Sequence, residues 1–192
     1  MSKSSGVIIK TTAVLTVICA VSALLLAVTN AVTEKRIADA AKKAETEAMA
    51  RIIDAADYKK QTIEYEGSSY DYYGAVDETD APVGYIFTVS QHGYGGDVKV
   101  MTGVGTDGAV AAIEVLDASG ETPGLGQKAT ESSFWKLFSG KSGQLTASKS
   151  ASGDGQIQAM TGATVTSKAV VGAVNKALTL YGEVTKGAGE NG

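Results

Sequence analysis

The segment Asp97–Asp117, DVKVMTGVGTDGAVAAIEVLD, decides the fold class. It divides at Thr106-Asp107-Gly108 into two strand-like halves, and Asp and Gly tolerate the positive φ that a tight hairpin turn requires. Upstream, Ala81–Ser90, APVGYIFTVS, reads as another strand, with Val83, Tyr85, Phe87 and Val89 on one face. Before it, Glu64–Asp77, EYEGSSYDYYGAVD, sets Tyr65, Tyr70, Tyr72 and Tyr73 among turn residues, the pattern of further short strands. Downstream, Ser132–Phe138, SSFWKLF, predicts a short helix with Phe134, Leu137 and Phe138 inward and Trp135 as a core or interface anchor. Gly140–Ile157 is polar and ends in a turn at Gly153-Asp154-Gly155. From Thr166 to Tyr181 a helical spacing returns in Val170, Val174, Ala177, Leu178 and Tyr181. No internal repeat is present. The expected fold is α+β, a twisted antiparallel sheet with flanking helices over residues 58–182. Residues 183–192 have the composition of a disordered tail.

The N-terminal part has a different character. Thr11–Val32 runs for about 22 residues without a charge, enough helix to cross a bilayer core, which takes roughly 20 residues. It is longer than the apolar core of a cleaved signal peptide. Residues 1–10 form the expected tail, 11–32 the transmembrane helix, and 33–57, rich in Ala, Glu and Lys, a helical spacer that Thr33 could cap. Lys3 and Lys10 precede the span and Lys35 and Arg36 follow it, so charge alone does not orient it.

Composition excludes several functions. A net charge of −4 with no basic stripe argues against nucleic-acid binding. One cysteine and one histidine exclude a disulfide framework, a cysteine-cluster metal site and a histidine-rich metal site.

Three stretches carry chemistry. Gln158–Ser167, QAMTGATVTS, puts the hydroxyls of Thr161, Thr164, Thr166 and Ser167 at the mouth of a helix expected to begin at Thr166 or Ser167. Free N–H groups there, and the positive end of the dipole, favour a phosphate near Thr164. Ordinary capping would use the same residue types. Gly120–Lys128, GETPGLGQK, turns at Pro123-Gly124 and bares the backbone on either side of Leu125, while Glu121 and Lys128 bring charge. His92–Asp97, HGYGGD, is a glycine-lined bend, which alone reads as a bulge or wide turn.

In this order the three stretches resemble the FMN-binding domain of the G subunit of the Rnf complex, and are similar to the C subunit of the sodium-pumping NADH:quinone oxidoreductase. The resemblance covers most of the chain, and the pairing of ETPGLG with TGAT is its specific element. It implies that FMN is joined through its phosphate to Thr164, the last residue of the motif, by a separate flavin transferase. Thr161, Gly162 and Ala163 match the earlier motif positions, and Thr166 and Ser167 the hydroxyls that follow. Glu121, Thr122, Gly124, Leu125 and Gly126 match the loop expected beside the flavin. Lys128 is expected to favour a reduced, anionic flavin and Glu121 to oppose it. One departure concerns recognition by the transferase: many members carry an acid where this chain has Gln158. The resemblance further implies a single-pass cell-membrane protein of a prokaryote, N-terminus cytoplasmic and FMN domain outside. Its role there would be to carry electrons within an ion-translocating ferredoxin:NAD oxidoreductase alongside other membrane and peripheral subunits. The chain has no cluster ligands and no dinucleotide-binding glycine fingerprint, so it cannot complete that reaction alone. Two alternatives stand beside this one: a stand-alone extracytoplasmic flavoprotein for extracellular electron transfer, and a non-redox membrane-tethered scaffold.

Overall fold

A computed structural model of the chain describes residues 2–189. These divide into two compact units, residues 1–44 and 45–192. Helix α1 spans Ser2–Ile52. Its stretch through Val14, Leu15, Leu24, Leu25 and Leu26 is apolar and exposed, and the helix is long and apolar enough to cross a bilayer. No helix break occurs at Thr33. That hydroxyl donates to the Thr29 carbonyl at 2.8 Å, one turn back, instead of capping a new helix. The expected tail is helical from Ser2, and the expected spacer stops at Ile52 rather than at residue 57.

The second unit is built on a five-stranded antiparallel meander in chain order, β1 Asp57–Tyr65, β2 Ser68–Val76, β3 Pro82–His92, β4 Asp97–Gly105 and β5 Val110–Asp117. The α+β reading and the antiparallel sheet therefore hold. The β4–β5 turn forms where Asp107 and Gly108 predict it. Gly108 lies at φ 81°, and the Asp107 carboxylate accepts the Ala109 amide at 3.0 Å. Between β1 and β2, Glu66 and Gly67 both take positive φ, the geometry of a two-residue hairpin whose twist matches its strands.

The sheet is covered on both faces. Tyr85, Phe87 and Val89 of β3 join the larger core, with Val98, Val100, Ile113 and the stripe Val170, Val174 and Ala177 of helix α3, Thr164–Gly189. On the opposite face Ile86, Ala75 and Met101 pack against Ala48, Met49, Ile52 and Ile53 at the C-terminal end of α1. Val83 goes with this second cluster, not with Tyr85. The reason is a bulge: Ala75 pairs with Gly84 and Val76 with Pro82, which leaves Val83 as the extra residue, and one inserted residue reverses the face of what lies beyond it. The end of α1 is closed onto β5 by Arg51, whose guanidinium donates to both oxygens of Glu114 at 3.0 and 2.6 Å.

Three shorter elements complete the unit. A 3-10 turn covers Gly126–Thr130, α2 covers only Ser132–Trp135, and β6 Thr146–Ser148 pairs in parallel with β7 Gln156–Gln158. Because α2 unwinds after Trp135, the helical spacing no longer holds beyond it. Phe134 and Phe138 are buried, but Leu137 is exposed, contrary to the inward position that its spacing predicts. Trp135 is an anchor, its indole N–H donating to the Ala129 carbonyl at 2.6 Å. The polar segment before Gly153 hides buried Leu145, whose backbone N–H and C=O are both bonded by the Asn175 side chain of α3, at 2.8 and 2.9 Å. Helix α3 continues to Gly189, so residues 183–189 are helical where a disordered tail was expected, and 190–192 lie outside the described residues.

Candidate functional site

Three loops converge at the N-terminal end of α3: the bend after His92, the loop from Ala118 to Gly126, and the turn Met160–Ala163. Glu121, in the second loop, ties the first to the opening turn of α3. It is 2% exposed. Its Oε1 accepts the amides of Tyr94 and Gly95 at 2.7 and 3.2 Å, and its Oε2 accepts the Thr166 hydroxyl at 2.6 Å. Burial pushes this carboxyl up, but the Thr166 hydroxyl and the amides of Gly95, Tyr94 and Gly96 act the other way and prevail. The group is held below its ordinary value and is an anion at neutral pH. The glycines follow from this approach. A Cβ at Gly93 would collide with the Glu121 carboxylate, and one at Gly126 would meet Glu121 and the Thr166 hydroxyl together. Gly162 sits at φ 79° beneath the Leu125 side chain, whose Cδ2 would lie 3.1 Å from a Cβ there.

Helix α3 begins at Thr164, not at Thr166 or Ser167. The Ser167 amide is bonded to the Ala163 carbonyl at 2.9 Å, so the first-turn amides of Thr164, Val165 and Thr166 precede the helical ladder. The four hydroxyls then separate into two pairs. Thr166 and Ser167 are buried. Thr166 is committed to Glu121, while Ser167 accepts the Met160 amide and donates to the Ala163 carbonyl, both at 2.9 Å. Thr161 is exposed and Thr164 half-buried.

Beside Thr164 opens a cleft of about 730 Å³, in the size range of cofactor sites. Thr122, Leu125, Gly126 and the whole run from Met160 to Thr166 line it, with Glu121 at its base. Of the predicted site residues, Ser167 lies buried behind this wall as a turn-fixing hydroxyl. Gly124 supplies the positive φ of its turn, at 74°, without lining the cleft. Lys128 faces a neighbouring recess of about 360 Å³ with Phe134 and Leu137. Glu121 is a buried tie rather than an exposed charge beside a ring. The sequence reading missed Tyr94, Lys149, Gln158, Met160 and Val165 as lining residues. One signal was available: Tyr94 stands between glycines, an apolar ring with nothing local to pack on. The remaining signal is visible only in three dimensions. Beyond Ile37, the exposed large hydrophobic residues among those described are Tyr94, Leu125, Leu137 and Val165, and all four border the cleft or the recess beside it. Apolar surface gathered in this way marks a binding site.

Residues 93–179 match the FMN-binding domain family, and residues 1–52 match the RnfG N-terminal region. The G subunit of the Na(+)-translocating ferredoxin:NAD(+) oxidoreductase complex of Acetobacterium woodii is 34% identical, over 94% of this chain and 94% of that one. The chain belongs to the RnfG family. A second relative, the G subunit of the proton-translocating ferredoxin:NAD(+) oxidoreductase complex of Clostridium ljungdahlii, is 32% identical over 85% of this chain and 86% of its own. Among solved structures, NqrC of Shewanella oneidensis is similar over 61% of this chain and 62% of that one, at 20% identity and a TM-score of 0.49.

The cleft of this RnfG family member suits an FMN in three respects. Its volume is sufficient. The first-turn amides of α3, which precede the helical ladder, are donors of the kind that a phosphate takes. Leu125, Met160 and Val165 offer apolar contact to a flat ring, and Tyr94 adds an aromatic face. Among the described residues no cluster of three or more metal-ligating side chains is present.

Proposed function

We propose that this chain is a membrane-anchored electron carrier whose FMN is esterified through its phosphate to Thr164, working as the G subunit of an ion-translocating ferredoxin:NAD oxidoreductase complex. The observation that carries the reading is the separation of the hydroxyls. Of the two that α3 does not bury, Thr164 alone stands in the first helical turn, beside the free amides and on the wall of the cleft. Its relatives are named as subunits of ion-translocating oxidoreductase complexes, which supports the assignment to such a complex.

Each residue then has a defined task. Thr164 Oγ forms the ester: its O–H bond is exchanged for a bond to the flavin phosphorus while the P–O bond that joins the flavin phosphate to the donor's activating group breaks, and that group leaves with the transferase. Among the described residues Glu121 is the cleft's sole carboxylate, and it is occupied by three donors. The hydroxyl proton therefore passes to a base on the flavin transferase, which also brings the activated flavin donor. The amides of Thr164, Val165 and Thr166 hold the remaining phosphate charge. Leu125 and Val165 orient the ring and keep water from one of its faces. Bound FMN supplies the electron chemistry, and the protein sets its position and potential. Helix α1 anchors the domain, with the N-terminus in the cytoplasm and the cofactor outside. Covalent attachment has a clear use there, since a soluble flavin would diffuse away.

The test is an intact mass of the chain produced with and without a flavin transferase. A gain equal to FMN minus water is expected with the transferase, with fluorescence that survives denaturation and vanishes in Thr164→Ala. A colourless wild-type chain would overturn the carrier reading, and a flavin retained by Thr164→Ala would move the attachment elsewhere. For orientation, single cysteines introduced at Ser5 and Ser152 in a cysteine-free chain should differ in labelling by a membrane-impermeant reagent, Ser152 alone reacting in intact cells.

A further inference from the structure

Lys149 lies between β6 and β7 and, among the described residues, is the sole basic residue that lines the cleft. Its side chain is exposed, and its ammonium has no hydrogen-bond or ion-pair partner among the described residues. The backbone beneath it is fixed. Gln158 donates from Nε2 to the Lys149 carbonyl at 2.8 Å and accepts the Ala151 amide on Oε1 at 3.2 Å. Both ends of one side-chain amide therefore clamp the 149–151 segment to the cleft wall. A carboxylate at position 158 could accept from Ala151 but could not donate to the Lys149 carbonyl. The glutamine that departs from the acid expected there thus has a structural task of its own.

The other charge in the cleft does not answer this lysine. Glu121 is buried and its oxygens are committed to the Tyr94 and Gly95 amides and to Thr166. Lys128 and Glu131 face the neighbouring recess. At the phosphate end, the first-turn amides of α3 already offer donors. The charge left for Lys149 is the one that arrives with electrons. Uptake of two electrons and one proton by a neutral, oxidised flavin ring leaves a single negative charge on it.

We propose that Lys149, clamped by Gln158, is a positioning cation that stabilises this negative charge and raises the potential of a flavin held in the cleft. The proposal rests on the FMN reading above. Because Lys149 is exposed, the effect is electrostatic and screened by salt: the Debye length falls from about 10 Å at 0.1 M to about 3 Å at 1 M.

The experiment is a reductive titration of the flavin-loaded full chain with dithionite, at low and high salt, for wild type, Lys149→Met, Lys149→Arg and Gln158→Leu. Lys149→Met is expected to lower the reduced-to-oxidised ratio at fixed potential about tenfold, a midpoint about 30 mV more negative for a two-electron couple. Lys149→Arg should restore most of that difference. Gln158→Leu keeps the charge but loses the clamp, so it should fall between wild type and Lys149→Met. At 1 M salt the four midpoints should draw together. A Lys149→Met midpoint equal to wild type at low salt would overturn the proposal while leaving the carrier reading intact. A wild-type chain that takes up no flavin from an active transferase would overturn the carrier reading and this inference with it.

Discussion

The sheet face under the end of α1 and the cleft are held by different physics. Toward the end of α1, Ile52 and Ile53 lie over Gly103 and Gly84, so closely that a Cβ on either glycine would strike an isoleucine methyl. That contact is apolar, and its strength scales with area removed from water. At the cleft end, one carboxylate joins its own loop to the bend after His92 and to the first turn of α3 through directed hydrogen bonds. The first, like the larger core under α3, holds the domain. The second sets the shape of the site, and a small displacement there alters function before it threatens the fold.

The largest expected effect breaks the cleft alone. Glu121→Ala leaves the amides of Tyr94 and Gly95 and the Thr166 hydroxyl without their acceptor, at a cost of about 2–4 kcal/mol. Flavin incorporation, followed by intact mass under transferase treatment, should be nearly abolished. Glu121→Asp, one methylene too short to reach both loops, should recover part of the stability and little of the incorporation.

The converse variant is Ile52→Ala. Removing this buried side chain from the glycine-floored contact should cost about 2–4 kcal/mol in denaturant unfolding. Incorporation on the remaining folded protein should match wild type, because no residue of that contact lines the cleft. If both variants reduced incorporation in proportion to their loss of stability, the separation of the α1 contact from the cleft would be wrong.

Acid offers a smaller and graded test. The Glu121 carboxyl is depressed in the folded protein by Thr166 and by backbone amides that outweigh its burial. A depressed carboxyl contributes stability above its unfolded value, about 4.3, and loses it as pH falls through the folded value. Stability should therefore decline below about pH 4. The decline should be shallower in Glu121→Gln, which has no proton to take up. Asp71, Asp77 and Asp117 are depressed as well. They will retain part of the slope, so the difference between the two proteins is the quantity to read.

The sheet and the cleft also differed in how far the sequence revealed them. Strand alternation and the Asp107-Gly108 turn are local signals, and they predicted the sheet. TGAT and ETPGLG were visible as unusual turns. What joins them was not, because Glu121 and Thr166 are 45 positions apart and nothing local distinguishes a charge that ties loops from one that faces solvent. Lys149 was hidden for a related reason: it sits in a polar segment whose composition resembles a plain connection. Val83 misled because a bulge leaves no mark in alternation, and Leu137 because helical spacing was carried past the point where α2 unwinds.

Asn175 lies between the two kinds of contact and gives the smallest effect. Its amide bonds both backbone groups of Leu145, a polar clamp that fixes an apolar side chain, itself 1% exposed, against α3. Asn175→Ala should cost about 1–2 kcal/mol, since it strands a half-buried amide and carbonyl and leaves the hydrophobic contact in place. Asn175→Asp separates the two bonds: it keeps an acceptor for the Leu145 N–H but turns a second oxygen toward the Leu145 carbonyl. If Asp proves as damaging as Ala, or worse, the bond to the carbonyl is the one that holds the β6 segment. If Asp is close to wild type, the bond to the amide suffices, and the segment that carries Lys149 toward the cleft depends chiefly on Gln158. Hydrogen exchange of the Leu145 amide in the three proteins would decide between these outcomes.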